Sequence, residues 1–135
     1  MHEKLIKEMQ QPVKVVVALG SNVQQKEHIQ QAIDLLKLTF DKMEFSQPMW
    51  TEPIGLPHSD KFLNVVGVGY TRSGLKRVGL ALKNIEHKCG RSNSACKLGV
   101  VAMDVDLLLY GDDKYHEADW QREYIQAAMK ELIWG

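Results

Sequence analysis

The sequence is poor in residues that staple, interrupt or polarise a chain. It has 2 cysteines and 4 prolines in 135 residues, too few for a disulfide-built secreted scaffold or a proline-rich linker. Cys89 and Cys96 are seven positions apart. A disulfide between them is formally possible, but two thiols in a chain without a secretory start are more often free and reduced. Such a start is missing: MHEKLIKEMQQP mixes charged and polar residues and has no apolar stretch. The longest apolar runs, near Val15–Leu19 and Leu107–Tyr110, are strand-sized and far short of a membrane span. The expected address is therefore cytoplasmic, with no membrane partner. Net charge is absent too: 17 Lys+Arg stand against 17 Asp+Glu, with a pI near 7.0. That argues against nucleic acid, whose phosphates call for a basic surplus.

What is present is ordinary for a globular protein, 44% hydrophobic and 25% charged residues. This length makes one domain, expected to span residues 1–135, with a core that needs no staples. The neutral total hides a local separation. Between residues 76 and 97 there are six Lys/Arg against Glu86 alone, and between 104 and 123 seven Asp/Glu against two bases.

Periodicity orders the chain. Val13–Ala18 is a β-branched run leaving into Gly20-Ser21-Asn22, a strand and a turn. Ile29, Ala32, Ile33, Leu36 and Phe40 recur at helical steps over Gln25–Phe40. Met43–Thr51 reads as a second strand, and Glu52–Pro57, with two prolines and a glycine, as a loop. Phe62–Thr71 is a third strand, with Gly67 and Gly69 marking a bulge or close packing. Leu75–Cys89 is a second helix with Gly90 as its end cap, and Ser92–Gly99 a mobile loop. Val100–Tyr110 is a fourth strand and Asp119–Ile133 a last helix. The order β-α-β-β-α-β-α fits an α+β fold: a ferredoxin-like split β-α-β sandwich, its antiparallel sheet covered by helices on one face.

Three features bear on chemistry. Asp104 and Asp106 are two apart in a strand, so their carboxylates share a face. Such a pair raises its own pKa values unless a cation neutralises it, and a hard ion such as Mg²⁺ suits it. The pattern is short, and a solvated strand edge carries the same spacing. The helix and loop before this strand carry Lys76, Arg77, Lys83, Lys88, Arg91 and Lys97. Cations beside a metal-carboxylate site suit a nucleoside triphosphate. A solvated helix face accounts for Lys76 and Arg77, whereas a loop can bring Arg91 and Lys97 to a ligand. Lastly, Phe62 and Asn64 share a strand face close to Trp50, Thr51, Pro53 and Ile54. An aromatic face plus an amide suits a flat heteroaromatic ligand, although the residues alone slightly favour Phe62 as core and Asn64 as a bulge or edge residue. No G-x-x-x-x-G-K-[ST], G-x-G-x-x-G or G-x-S-x-G motif occurs, and His87, Cys89 and Cys96 lack a zinc spacing.

Five segments in order, VALGSN (Val17–Asn22), TEPIG (Thr51–Gly55), DKFLNVV (Asp60–Val66), IEHKCGR (Ile85–Arg91) and MDVDLLLYGD (Met103–Asp112), resemble the 6-hydroxymethyl-7,8-dihydropterin pyrophosphokinases of folate biosynthesis. The resemblance implies the ferredoxin-like fold and transfer of pyrophosphate from ATP to the pterin's hydroxymethyl group, releasing AMP. It implies two Mg²⁺ ions, ATP as co-substrate and a monomer acting on small molecules. Asp104 and Asp106 match the magnesium-binding acids. Thr51, Ile54, Phe62 and Asn64 match the pterin site, and Glu86, Lys97 and Leu107 the nucleotide site. Arg91 and Lys97 match catalytic positions, Arg91 opening the catalytic loop and Lys97 lying on it.

The chain departs from the family pattern before the aspartates, where R-W-G-P-R-T-L-D-L-D is usual. Leu98 replaces the tryptophan, Val101 the second arginine, and Asn93 a further loop arginine. Typical members also continue into a P-H-P segment whose histidine, tyrosine and arginine finish the site, and this sequence has none. His116, Arg122 and Tyr124 are residues of those types, at positions that no pattern supports. Three functions stay open: the active kinase, a relative that binds pterin or nucleotide without efficient turnover, and a ferredoxin-like regulatory or interaction module.

Overall fold

A strand with apolar residues at every position, rather than every second one, must be covered on both faces. Strand β1 (Val13–Ser21) is such a strand over Val15–Leu19, with Val15, Val16 and Val17 all at 0% exposure. The computed structural model, which describes residues 11–53 and 60–134, places β1 in the middle of an antiparallel sheet. On one side it pairs with β4 (Phe62–Thr71) and on the other with β5 (Asp104–Tyr110). Two short strands, β2 (Asp41–Phe45) and β3 (Met49–Thr51), follow one another along the outer edge of β4. The hairpin strand β6 (Asp113–Lys114) lies outside β5. The order β2-β4-β1-β5-β6 leaves β1 parallel to β2 with β4 between them, and β4 parallel to β5 with β1 between them. These are two split β-α-β units, the ferredoxin-like α+β arrangement that the element order predicts.

Helices α1 (Gln25–Thr39) and α2 (Leu75–Lys88) fill the two crossovers and cover one face. Ile29, Ala32 and Leu36 of α1 and Val78, Leu82 and Ile85 of α2 pack on Val15, Val17, Leu19, Val65 and Val105. The expectation of helices on one face alone does not hold. A short helix α4 (Glu117–Trp120) and the last helix α5 (Glu123–Trp134) cover the other face. There Trp120, Ile125 and Ala128 pack on Val16, Ala18, Val66 and Leu108. Trp120 is anchored by its Nε1, which donates to Leu108 O at 3.2 Å and Tyr115 O at 3.1 Å. The physical reason is β1 itself: its even-numbered valine and alanine need an apolar partner, which the tail supplies.

Other boundaries shift for local reasons. The expected strand Met43–Thr51 is two strands, broken at Ser46-Gln47-Pro48, where Pro48 has no N–H to give a ladder. Ser46 spans the break, its N–H bonding Val66 O and its hydroxyl accepting from Val66 N. The fourth strand begins at Asp104, not Val100. The expected loop Ser92–Gly99 contains a helix, α3 (Asn93–Lys97), because Ser92 caps it by accepting from Ala95 N at 3.2 Å. Gly99, at φ +83°, ends it. Gly67 and Gly69 mark close packing: a Cβ on either would meet the Phe45 or Met43 side chains of β2 at 3 Å or less. The ladder between β1 and β5 slips by one residue, so that Val17 faces Leu107 and Val16 faces Leu109, with Leu108 extra. Leu108 and Leu109 therefore both join the α5-side cluster, while Leu107 and Tyr110 join the other. Among the described residues no helix is long and apolar enough to cross a membrane. Cys89 is buried and Cys96 half-buried, with no bond between them.

Candidate active site

The face that α5 covers is apolar only over part of its length. Beyond Ala18 and Val66, its positions become Gly20, Asn64, Asp104 and Asp106. In the ladder Gly20 lies opposite both Asn64 and Asp104, and Ala18 opposite Asp106. These residues floor a cleft of about 310 Å³, with Phe62, Thr51 and Glu52 on one side and Asp119, Arg122 and Tyr124 on the other. The cleft thus unites Asp104, Asp106, Asn64, Phe62 and Thr51, which lie on three strands far apart in sequence.

Asp104 and Asp106 stand together as their spacing predicts, both half-buried. The Asp106 carboxyl is pushed up to about 7, first by burial and then by the neighbouring charge of Asp104, with Glu86 and Asp119 adding to it. The Nε2 atom of His116 lies 3.9 Å from Asp106 Oδ1. Among the described residues no third acid, histidine or cysteine completes a protein-only metal cage. Two hard oxygen donors on one strand face, paying for their proximity with a raised pKa, fit a divalent ion that takes its other ligands from phosphate and water.

Glu86 and Arg91 meet Asp104 at the free edge of β5. Gly90, at φ +96°, is the left-handed residue of a Schellman turn: its N–H bonds His87 O and the Arg91 N–H bonds Glu86 O. That turn aims Arg91 back across β5, where its Nη1 donates to Met103 O at 3.1 Å and Asp104 Oδ1 at 3.3 Å. Glu86 Oε2 accepts the Val105 N–H at 2.8 Å, satisfying a backbone donor on the strand's open edge. Burial raises the Glu86 pKa, while the Val105 N–H and the Arg91 charge pull it down. Glu86 and Arg91 also line a separate hollow of about 290 Å³ with Lys83, His87, Ser92 and Asn93.

Asn64 is only 5% exposed. Its Nδ2 donates to Thr51 Oγ1 at 2.7 Å and Met49 O at 3.1 Å, tying β4 to β3. Among the described residues no donor reaches its Oδ1, which is left to accept from a ligand. Across the cleft the Arg122 guanidinium stacks over the Tyr124 ring, 4.6 Å from its centroid. Burial raises the Tyr124 pKa, with Arg122 opposing the shift.

Not every expected residue joins these groups. Lys97 is exposed on α3 and lines neither hollow. Leu107 packs toward the α1/α2 core. Ile54 lies outside the described residues. Conversely, Glu52 and Asp119 line the cleft although no sequence pattern marks them, and Arg122 and Tyr124 acquire a place that no motif gives them. The signal for the last pair was the two-sided apolar run of β1. It requires a cover on the second face, and a helix docked there sets its first turn beside the aspartates.

The model of the 7,8-dihydro-6-hydroxymethylpterin-pyrophosphokinase family matches residues 16–133. The chain is 30% identical over 129 residues to a folate synthesis bifunctional protein of Arabidopsis thaliana, covering 88% of this chain and 27% of the relative. It is 32% identical over 112 residues to one from Chlamydia caviae, covering 78% and 25%. A mitochondrial folate synthesis bifunctional protein of Pisum sativum is 29% identical over 133 residues, covering 91% and 26%. The chain thus spans about a quarter of the length of the curated relatives it matches. It belongs to the 7,8-dihydro-6-hydroxymethylpterin-pyrophosphokinase family.

Proposed function

We propose that this family member transfers the pyrophosphoryl group of ATP to the hydroxymethyl group of 6-hydroxymethyl-7,8-dihydropterin, with AMP as the leaving product. The observation that carries the proposal is the single cleft in which an amide and an aromatic ring, Asn64 and Phe62, stand beside the carboxylate pair Asp104 and Asp106. A flat heterocycle and a metal-bound phosphate chain are the two ligands such a cleft fits.

In this reading Phe62 and Tyr124 offer ring faces to the pterin, and Asn64 Oδ1 accepts from its amino edge. Thr51 fixes the Asn64 amide, and Ile54 is assigned to pterin binding by its match to the family pattern. Asp104 and Asp106 hold Mg²⁺, two ions being expected, which neutralise phosphate charge when bound. Glu86 serves the nucleotide and Arg91 supplies a cation to the transferred group, both standing beside Asp104, whereas the matched positions Lys97 and Leu107 lie outside the two hollows. In-line displacement at phosphorus asks for alignment and charge neutralisation more than covalent help. The unit is one domain over 1–135, a cytoplasmic monomer acting on small molecules.

The test is to incubate the protein with ATP, Mg²⁺ and the dihydropterin and to follow AMP. Mg²⁺-dependent AMP formation, lost in Asp104→Ala, is the expected result. Absence of AMP at any protein concentration overturns it. A second reading, ligand binding with slow turnover, is favoured by Leu98 and Val101, which remove two side chains from the usual family pattern. Mg²⁺-dependent binding of a non-hydrolysable ATP analogue without AMP formation would single it out.

A further inference from the structure

Asn22 closes the VALGSN segment just past the end of β1, at 3% exposure. Its Nδ2 donates to Gly99 O at 2.7 Å and its Oδ1 accepts from Val101 N at 2.6 Å. Its own backbone N–H bonds Val101 O at 3.0 Å. One side-chain amide thus satisfies a carbonyl and an N–H two residues apart, as the peptide group of an adjacent strand would. Of the small side chains only asparagine carries a donor and an acceptor in that in-plane arrangement. The bonds join the end of β1 to the segment between α3 and β5, where the β1–β5 ladder has already stopped at Gly20 and Asp104.

We propose that Asn22 is a positioning residue of the phosphate side of the site. It holds the Gly99–Val101 backbone so that Asp104, three residues on, and α3, just before, keep a fixed relation to the cleft. The far side of the same segment is held by Arg91 on Met103 O, so the approach to Asp104 is pinned from both flanks. Asn22 acts on main chain alone, and its hold is independent of the side chain at 101, where this chain carries valine. Its hydrogen bonds run to Gly99 and Val101 and not to the pterin-side residues of β3 and β4. The inference rests on the proposed kinase reading for its kinetic arm, and its binding and exchange arms stand without it.

The experiment compares the wild type with Asn22→Ala, Asn22→Asp and Val101→Pro. Asn22→Asp keeps the acceptor for Val101 but sets a carboxylate against Gly99 O. Val101→Pro deletes the N–H that Asn22 accepts. In all three, kcat/KM for Mg-ATP should fall on the order of tenfold or more, while the pterin Kd stays within about twofold. Exchange of the Gly99–Asp104 amides should quicken selectively in Asn22→Ala, and affinity for a Mg²⁺-bound ATP analogue should drop in parallel. Should the alanine variant fail to fold, the other two carry the comparison. Unchanged Mg-ATP parameters, or equal losses in pterin and nucleotide binding, overturn the proposal. A wild type that forms no AMP sinks the kinase reading instead, and analogue affinity with amide exchange then decides the role of Asn22.

Discussion

The Arg91 guanidinium lies 3.3 Å from Oδ1 of Asp104 and 3.7 Å from Oε2 of Glu86. In this state it serves the protein's own carboxylates, standing beside one of the two acids that fit a metal. A fixed cation there both competes with Mg²⁺ and waits beside the place where phosphates would arrive. Arg91→Ala should therefore bind Mg²⁺ alone several-fold more tightly, because a like charge has gone. Its turnover should fall by about a hundredfold or more, because a phosphate-facing guanidinium has gone with it. Calorimetric Mg²⁺ titration beside AMP release checks the pair, and weaker Mg²⁺ binding would contradict the competition.

The raised Asp106 pKa has a definite sign for stability. Its carboxyl titrates near 7 in the folded protein against 3.8 ordinarily, so between those values the native state keeps a proton that the unfolded chain has released. Metal-free protein should lose stability as pH rises across that window and level off above it. Mg²⁺ favours the charged form and should raise Tm more at about pH 8 than at about pH 5. Thermal melts with and without Mg²⁺ give the answer. Asp106→Asn should flatten the pH dependence, and a slope that survives in this variant would assign it to another group.

Val101 stands where the family usually carries an arginine, and its side chain is half-buried with only its backbone held by Asn22. Val101→Arg leaves that backbone hold available while adding a guanidinium to the segment before Asp104. Turnover should rise, on the order of tenfold, with the pterin KM little altered. Steady-state kinetics in both substrates distinguishes this from a general change in folding, which would move the two together.

Tyr124 and Arg122 make the tail's contribution to the cleft. Tyr124→Ala removes a ring wall and the platform under Arg122, and should weaken pterin binding by up to about tenfold, the upper end of a lost aromatic contact of about 0.5–1.5 kcal/mol. Tyr124→Phe keeps the ring and should stay within about twofold. Equal losses in both variants, by fluorescence titration with the pterin, would point to the hydroxyl instead.

Much of this was legible from residue patterns, and the rest was hidden for identifiable reasons. The carboxylate pair follows from strand spacing alone, and the α2 terminus from Gly90. The partition between Asn64 donors and acceptor does not, because it depends on Thr51 and Met49, thirteen and fifteen residues away. Helix α3 has only five residues, too few for a helical period to show in the sequence. The cover on the second face is implicit in the unbroken apolar run Val15–Leu19 of β1, but a strand's own pattern does not say which distant segment supplies that cover. Lys97 illustrates the reverse: a basic residue on the right segment is exposed and outside both hollows, which spacing could not foresee.

The extra residue at Leu108 acts as a phase shifter within β5. Upstream of it the acids look into the cleft, and downstream the alternation is inverted, so Tyr110 turns to the opposite face and donates its hydroxyl to Ser73 O at 2.8 Å. The two halves of the strand are consequently read in different frames. Sequence change in the hairpin beyond the slip can be absorbed there, without rotating Asp104 and Asp106 away from their ligand. One strand thereby carries a chemical half under tight constraint and a structural half open to drift.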